Sequence, residues 1–527
     1  MAQQAEWWRN AVVYQIYPRS FADGDGDGTG DLKGITQHMD YLAQLGVDAL
    51  WLGPFFKSPQ VDHGYDVADY RDVDPLFGTL ADFDELVAAA HDRGIRITVD
   101  FVPNHTSDQH AWFQAALAAG PGSPERARYL FFDGKDGGPP NNWRSVFGGP
   151  SWTQAPDGQW YYHLFAREQP DLNWRNPEVL DEFVDVLRFW LERGVDGFRI
   201  DVSDALIKDV DLPDTATGEP VIPKDDASGV HDIYRAFRRL FDSYDHEPMA
   251  VIETGAPDDV VALFLRPDEM QLAFNFRFVK AGWRADRLRE AIDASMAANA
   301  EVGAPTTWVI DNHDTPRSVT RYGATVELAG EYVPGTMNSG PAGEVDLELG
   351  LRRSRAMALL LLALPGSAYL YNGQELGLEN IDDLPEEVLQ DPIWERSGRT
   401  NRGRDGCRIP MPWEGDQPPF GFTDGEPWLP MPPHWAAKTV AVQEADPDSL
   451  LGLYRRAIAA RRALPVAGLE WLPSEEGVLL FRRGPVEVVV NLSGDPVVLP
   501  SGRLILASEP VVKDLLPNDA AAWLEVE

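Results

Sequence analysis

Eight short runs rich in β-branched and aromatic residues recur along the chain. They are AVVYQIYP (11–18), ALWLGPFF (49–56), IRITVDFV (95–102), DGFRIDV (196–202), PMAVIET (248–254), LAFNF (272–276), TTWVID (306–311) and SAYLYNG (367–373). Helical patterns lie between them. In PEVLDEFVDVLRFWLERG (177–194), apolar residues fall at Val179, Leu180, Phe183, Val184, Val186, Leu187 and Leu191, and Gly194 ends the run. Alternating strands and helices imply a parallel sheet with helices outside it. Eight units fit an α/β fold of the closed (β/α)8 barrel type; a doubly wound open sheet satisfies the same periodicity.

The rhythm breaks twice. From Asn104 to about Asn173 no strand–helix unit is legible, and the stretch GPGSPERARYLFFDGKDGGPPNNW is rich in Gly, Pro and aromatics. This reads as a loop domain inserted after strand three. Beyond about residue 461, GVLLFRRGPVEVVVNLSGDPVVLPSGRLILAS (477–508) alternates β-branched runs with turns, the pattern of a small antiparallel β domain. The expected domains are a barrel over 1–104 and 173–461, an insertion over 105–172 and a C-terminal β domain over 462–527.

A formal charge of -38 argues against nucleic acid or an anionic membrane as partner, since both are polyanions. One cysteine, Cys407, excludes an intrachain disulfide. The opening MAQQAEWWRNAVVYQ lacks a basic segment followed by an apolar core, and the longest apolar run, AMALLLLALPG (356–366), is too short to span a bilayer. A cytoplasmic protein acting on a neutral or cationic small ligand is the expectation.

In such a barrel, chemistry collects where strands end at their C-terminal tips. Asp201 ends GFRID, Glu253 ends MAVIE and Asp314 follows WVIDNH. Arg199 precedes Asp201 by two residues, so on a strand both side chains share a face and the cation favours an ionised Asp201. Glu253 has no such neighbour in sequence and is the better candidate for a raised pKa. One ionised and one protonated carboxyl are what cleavage of a glycosidic bond requires.

DFVPNH (100–105), GFRID (197–201), IE (252–253) and NHD (312–314), in this order, resemble the four short motifs of the α-amylase family of glycoside hydrolases (family 13). QPDLNW (169–174), HGYDVADYRDVDPLFGT (63–79) and RDGCRIPMPW (404–413) are similar to its oligosaccharide α-glucosidase branch. The resemblance covers essentially the whole chain. It implies a retaining double displacement with Asp201 as nucleophile, Glu253 as acid/base and Asp314 as transition-state stabiliser, the two working carboxyls standing about 5–5.5 Å apart.

It further implies that Tyr65 stacks on the sugar, that His105 and His313 donate to its hydroxyls, and that Phe147, Phe165 and Gln169 line the pocket. Asp62 and Arg404 would pair behind the terminal glucose, and a pocket closed there admits only a chain end. Relatives carry Gly before the acid/base and Trp two residues after it; here Ile252 and Gly255 stand in those places, implying a more open leaving-group side. The expected activity is an exo-acting α-glucosidase on short oligosaccharides, with α-1,4 bonds favoured over α-1,6. A transglucosidase or isomerase, such as a trehalose synthase or sucrose isomerase, is the alternative on the same scaffold, and a non-catalytic relative the remote one.

SFADGDGDGTGDLKGI (20–35) partly follows a calcium-loop pattern, with oxygens at Asp23, Asp25 and Asp27 and Gly28 at the turn. Gly34 stands where an EF-hand needs Glu, so that motif is rejected. The resemblance implies a structural Ca2+, or Mg2+ in its place, held by Asp23, Asp25, Asp27, the Thr29 carbonyl and Asp31.

Overall fold

A computed structural model describes residues 6–324, 344–466 and 468–526; the first five, part of the amino-terminal stretch read above, lie outside that set. Eight parallel strands form one sheet: β1 Val12–Ile16, β2 Ala49–Leu52, β3 Arg96–Phe101, β4 Gly197–Ile200, β5 Met249–Ile252, β6 Leu272–Ala273, β7 Thr307–Val309 and β8 Ser367–Tyr371. Each lies within one of the eight apolar runs. Neighbours pair consecutively from β1 to β6, β7 pairs with β8, and β8 returns to β1. A parallel bridge between Phe274 and Thr307 closes the ring, which removes the open-sheet alternative.

Side chains alternate across each strand. Val13, Trp51, Val251, Val309 and Tyr369 pack in one cluster with Trp8 and Phe274. The opposite faces meet the surrounding helices in the main core. The helix Pro177–Glu192 shows how sequence sets its limits. Asn176 caps its amino end by accepting from the Glu178 amide, Pro177 opens the first turn, and Gly194 follows with φ of 94°. It buries Val179, Phe183, Val186, Leu187, Trp190 and Leu191, so Trp190 joins the expected stripe while Leu180 and Val184 lie at its edge.

The insertion is more regular than its composition suggests. It holds a helix, Ala111–Ala119, and a three-stranded antiparallel sheet of Phe131–Phe132, Trp160–Tyr162 and Trp152–Gln154. Bridges of His105 with Asp171 and of Tyr129 with Leu172 tie its two ends together beside β3.

At the carboxyl end, Glu470–Trp471, Val478–Arg483, Val486–Asn491, Ala520–Glu525 and Arg503–Ala507 pair in that order as an antiparallel sheet. Two buried arginines join it to the barrel at the end of the helix Leu347–Ala363. Arg461 donates to the carbonyls of Leu362 (2.6 Å) and Leu364 (2.8 Å), and Arg483 to those of Ala363 (2.9 Å) and Leu364 (2.8 Å). Both also donate to Asn10 Oδ1, ahead of β1. Cations there satisfy carbonyls the helix leaves open.

Candidate active site

Register places the acids. β4 and β5 pair Ile200 with Ile252, so Asp201 and Glu253, each one residue further, stand level at adjacent strand tips. β3 and β4 pair Asp100 with Arg199, so the guanidinium rises between three carboxylates. Arg199 Nη1 donates to Asp201 Oδ1 at 2.5 Å and Asp100 Oδ1 at 2.9 Å, and Nη2 contacts Glu253 Oε2 at 2.6 Å. The chain then turns at Val202, whose φ of 45° is left-handed, an uncommon state for a β-branched residue. That turn aims the Val202 amide at Glu253 Oε2, 3.3 Å away, and the Ser203 amide and hydroxyl at the Glu253 carbonyl.

Asp314 sits across the cavity, in a turn where Asn312 Oδ1 accepts from its amide at 2.9 Å. Arg404 Nη1 and Arg408 Nη2 each donate to Asp314 Oδ1 at 3.0 Å. Arg404 also reaches Asp62 Oδ1 (Nη2, 2.8 Å) and Asp391 Oδ2 (Nε, 2.6 Å), so the expected Asp62–Arg404 pair is formed and a third acid joins it.

One cavity is lined by Asp62, Tyr65, His105, Phe147, Phe165, Asp201, Val202, Glu253, Asp314 and Arg404. It gathers all three proposed catalytic acids and six of the eight residues expected to line or close the pocket. Gln169, Arg199 and His313 stand behind the wall instead of on it. Gln169 is held by Asp62 (3.1 Å) and the Ala166 amide (3.0 Å). Arg199 is consumed by carboxylates. His313 has Nδ1 2.7 Å from Gln15 Nε2 and Nε2 2.5 Å from the Tyr65 hydroxyl, so its ring supports Tyr65. Gly255 is exposed and adds nothing to the lining, as the missing tryptophan implied. A roomier cavity in the insertion, among Phe131, Trp143, Trp152 and Lys208, faces one carboxylate, Asp209, and cannot supply a pair.

Electrostatics differ from the sequence argument. Burial raises the Asp201 pKa; Arg199 opposes this, and Glu253 and Asp100 add to it. Burial also raises Asp100, again against Arg199. One cation shared among three carboxylates does not hold all of them ionised, so Arg199 is not the private counter-ion of Asp201 that its spacing suggested. Asp314 is the reverse case. Burial favours its acid form, but the His313 ring, once charged in acid, together with Arg404 and Arg408 pulls it well below the usual carboxylate range. Burial lowers both His105 and His313 to about 3, so each ring is neutral.

In the acidic loop, Asp23, Asp25 and Asp27 bring one carboxylate oxygen each within 4.8 Å of the others. Asp23 also accepts from the amides of Asp25, Gly26 and Gly28. Asp31 lies outside that trio, though Asp25 and Asp23 are near enough to raise its pKa after burial does. It caps the helix Leu32–Gln37 through the Gly34 amide at 2.6 Å and accepts from the Gly24 amide, and the Thr29 amide donates to Asp27.

Sequence reasoning did not single out Asp100, Asp391, Arg408 or Lys208. Asp100 and Arg408 lie inside quoted motifs, DFVPNH and RDGCRIPMPW, where an acid on the strand and a second arginine were the available signals. Asp391 lies far from any motif, and its role exists only in three dimensions.

The catalytic-domain model of the α-amylase family matches residues 15–467, and the chain belongs to that family. It is 38% identical to a probable alpha-glucosidase of Rhizobium meliloti (strain 1021), over 98% of this chain and 96% of the relative. It is 36% identical to an oligo-1,6-glucosidase of Parageobacillus thermoglucosidasius, over 86% and 84%. Among solved structures, the trehalulose synthase MutB from Pseudomonas mesoacidophila MX-45 superposes with a TM-score of 0.86 at 32% identity, covering 99% of each chain.

Proposed function

We infer that the protein is a retaining α-glucosidase that removes glucose from the non-reducing end of short α-glucosides. The observation that carries this is one guanidinium holding Asp201 and Glu253 level at the rim of a cavity closed by Asp62 and Arg404. Asp201 attacks the anomeric carbon while Glu253 protonates the departing oxygen; Glu253 then takes a proton from a water whose oxygen bonds to the anomeric carbon and breaks its bond to Asp201, releasing the sugar. Asp314, held ionised by two arginines, binds the sugar's hydroxyls and favours the cationic transition state. The blind wall makes cleavage exo. Val202 lines the cavity beside the nucleophile, and we favour α-1,4 bonds.

Incubation with maltose, isomaltose and sucrose, with products followed by chromatography and NMR, tests this reading. Free α-glucose released fastest from maltose is the expected result. Isomeric disaccharide from sucrose would favour the isomerase reading, to which the likeness to trehalulose synthase gives weight.

We also propose that Asp23, Asp25 and Asp27 hold a structural Ca2+, because crowded carboxylates repel one another without a cation. Chelation is expected to lower the melting temperature by a few degrees, and Asp25→Ala to erase that difference. Cys407 is buried with its thiol pushed up to about 12, an inert group suited to the cytoplasm we assign. Among the described residues no helix is long and apolar enough to cross a membrane.

A further inference from the structure

Lys208 lies on the loop after β4, 3% exposed, outside the sugar cavity. Its ammonium contacts Asp171 Oδ2 and donates to Asn104 Oδ1 at 2.6 Å. Asn104 Nδ2 lies 3.0 Å from Asp171 Oδ2 and 3.1 Å from His105 Nδ1. These contacts fix which way the Asn104 amide faces. Reversing it would set its oxygen against a carboxylate and its NH2 against an ammonium, two repulsions in a buried site. With the amide so fixed, an N–H points at His105 Nδ1, which therefore presents a lone pair.

We propose that Lys208 and Asp171 are positioning residues for the glycosidase site: by pinning the Asn104 amide they hold His105 in the tautomer that carries its proton on Nε2. The other side of the ring agrees in part. Nε2 lies 3.1 Å from the Tyr65 carbonyl, which demands a donor, and 3.1 Å from Gln169 Nε2, which prefers an acceptor. Two contacts favour the Nε2 proton and one opposes it. The Gln169 amide keeps its bonds to Asp62 and Ala166 in either case, so the opposing contact costs the least to give up. Burial and the nearby Lys208 charge keep the ring neutral, so the choice of tautomer is real. His105 lines the cavity, and its Nε2–H, shared with the Tyr65 carbonyl, is then a donor oriented before a sugar arrives.

The inference rests on the glucosidase reading only for what His105 donates to, and 15N NMR of histidine-labelled protein reads the tautomer without substrate. His105→Gln assigns the signal. The expected spectrum shows Nε2 protonated and Nδ1 bare across pH 5–8. Lys208→Met with Asp171→Asn removes both charges together, so no buried ion is stranded. That variant is expected to show a mixed or reversed tautomer, with KM for maltose raised roughly tenfold, about one hydrogen bond, and kcat changed far less. Asn104→Asp provides a near-isosteric second variant: it keeps the Lys208 contact, cannot donate to Nδ1, and must reverse the tautomer. Wild-type protein with the proton on Nδ1, or either variant retaining the wild-type tautomer, overturns the proposal. Inactivity on every α-glucoside with these spectra intact overturns the functional reading and leaves this one standing.

Discussion

Two arginines stand on opposite walls of one cavity, and each touches three carboxylates. Arg199 serves Asp100, Asp201 and Glu253; Arg404 serves Asp62, Asp314 and Asp391. The second cluster has one more cation, Arg408, on Asp314. With every acid ionised, the first cluster would carry two excess negative charges and the second one. Burial makes the larger excess untenable, so a proton stays on the Arg199 side, where Asp100 and Asp201 are raised. On the Arg404 side Asp314 and Asp391 lie below the usual range, though Asp62 is raised by its burial. Counting cations thus separates a wall that retains a proton from a wall that keeps Asp314 anionic.

The largest break in this comparison is Asp201→Ala. Loss of the nucleophile is expected to cut kcat/KM by about 10⁴-fold or more while circular dichroism and melting temperature stay close to wild type. Normal turnover would remove Asp201 from the mechanism. Glu253→Gln comes next, with a loss of about 10²–10⁴-fold on maltose and much less on an aryl glucoside whose leaving group needs no proton. Equal losses on both substrates would count against Glu253 as the acid.

Arg404→Leu tests the other wall through stability, because it strands the buried Asp62 and Asp391 and leaves Asp314 with Arg408 alone. A cost of about 3–5 kcal/mol is expected in denaturant unfolding at neutral pH, shrinking as acid neutralises them. The smallest effect belongs to Arg408→Met, which removes one of two guanidiniums from Asp314. Its pKa then rises, and the titration of its carboxyl, followed by 13C NMR, moves to higher pH. An unmoved titration would mean that Arg408 does not hold Asp314 ionised. The wild-type fold carries the same sign: Asp314 and Asp391 are depressed when folded, so their stabilisation is complete above the ordinary carboxylate range and fades as pH falls below it.

The barrel was legible because a strand buried on both faces has few compositions open to it, and each of the eight strands falls within such a run. Positions of the acids followed, since a strand's last residue in a barrel lies at the mouth. Charge states did not follow. Spacing along one strand assigned Arg199 to Asp201, yet the parallel register of β3, β4 and β5 divides that guanidinium three ways. The contact of His313 with Tyr65 was hidden for a related reason: a motif names a neighbourhood, and only the fold sets the Tyr65 hydroxyl on Nε2. Asp391 and Lys208 act across 13 and 104 residues of chain, on Arg404 and Asn104, distances at which no local pattern survives.

The arginines Arg461 and Arg483 make the terminal sheet something other than a detachable cassette. Trimming the chain ahead of Arg483 would bare the carbonyl of Ala363, leave that of Leu364 to Arg461 alone and free one hold on Asn10, which leads directly into the first barrel strand. Melting is therefore expected to take both parts together, and a swapped-in tail would have to bring its own rivets.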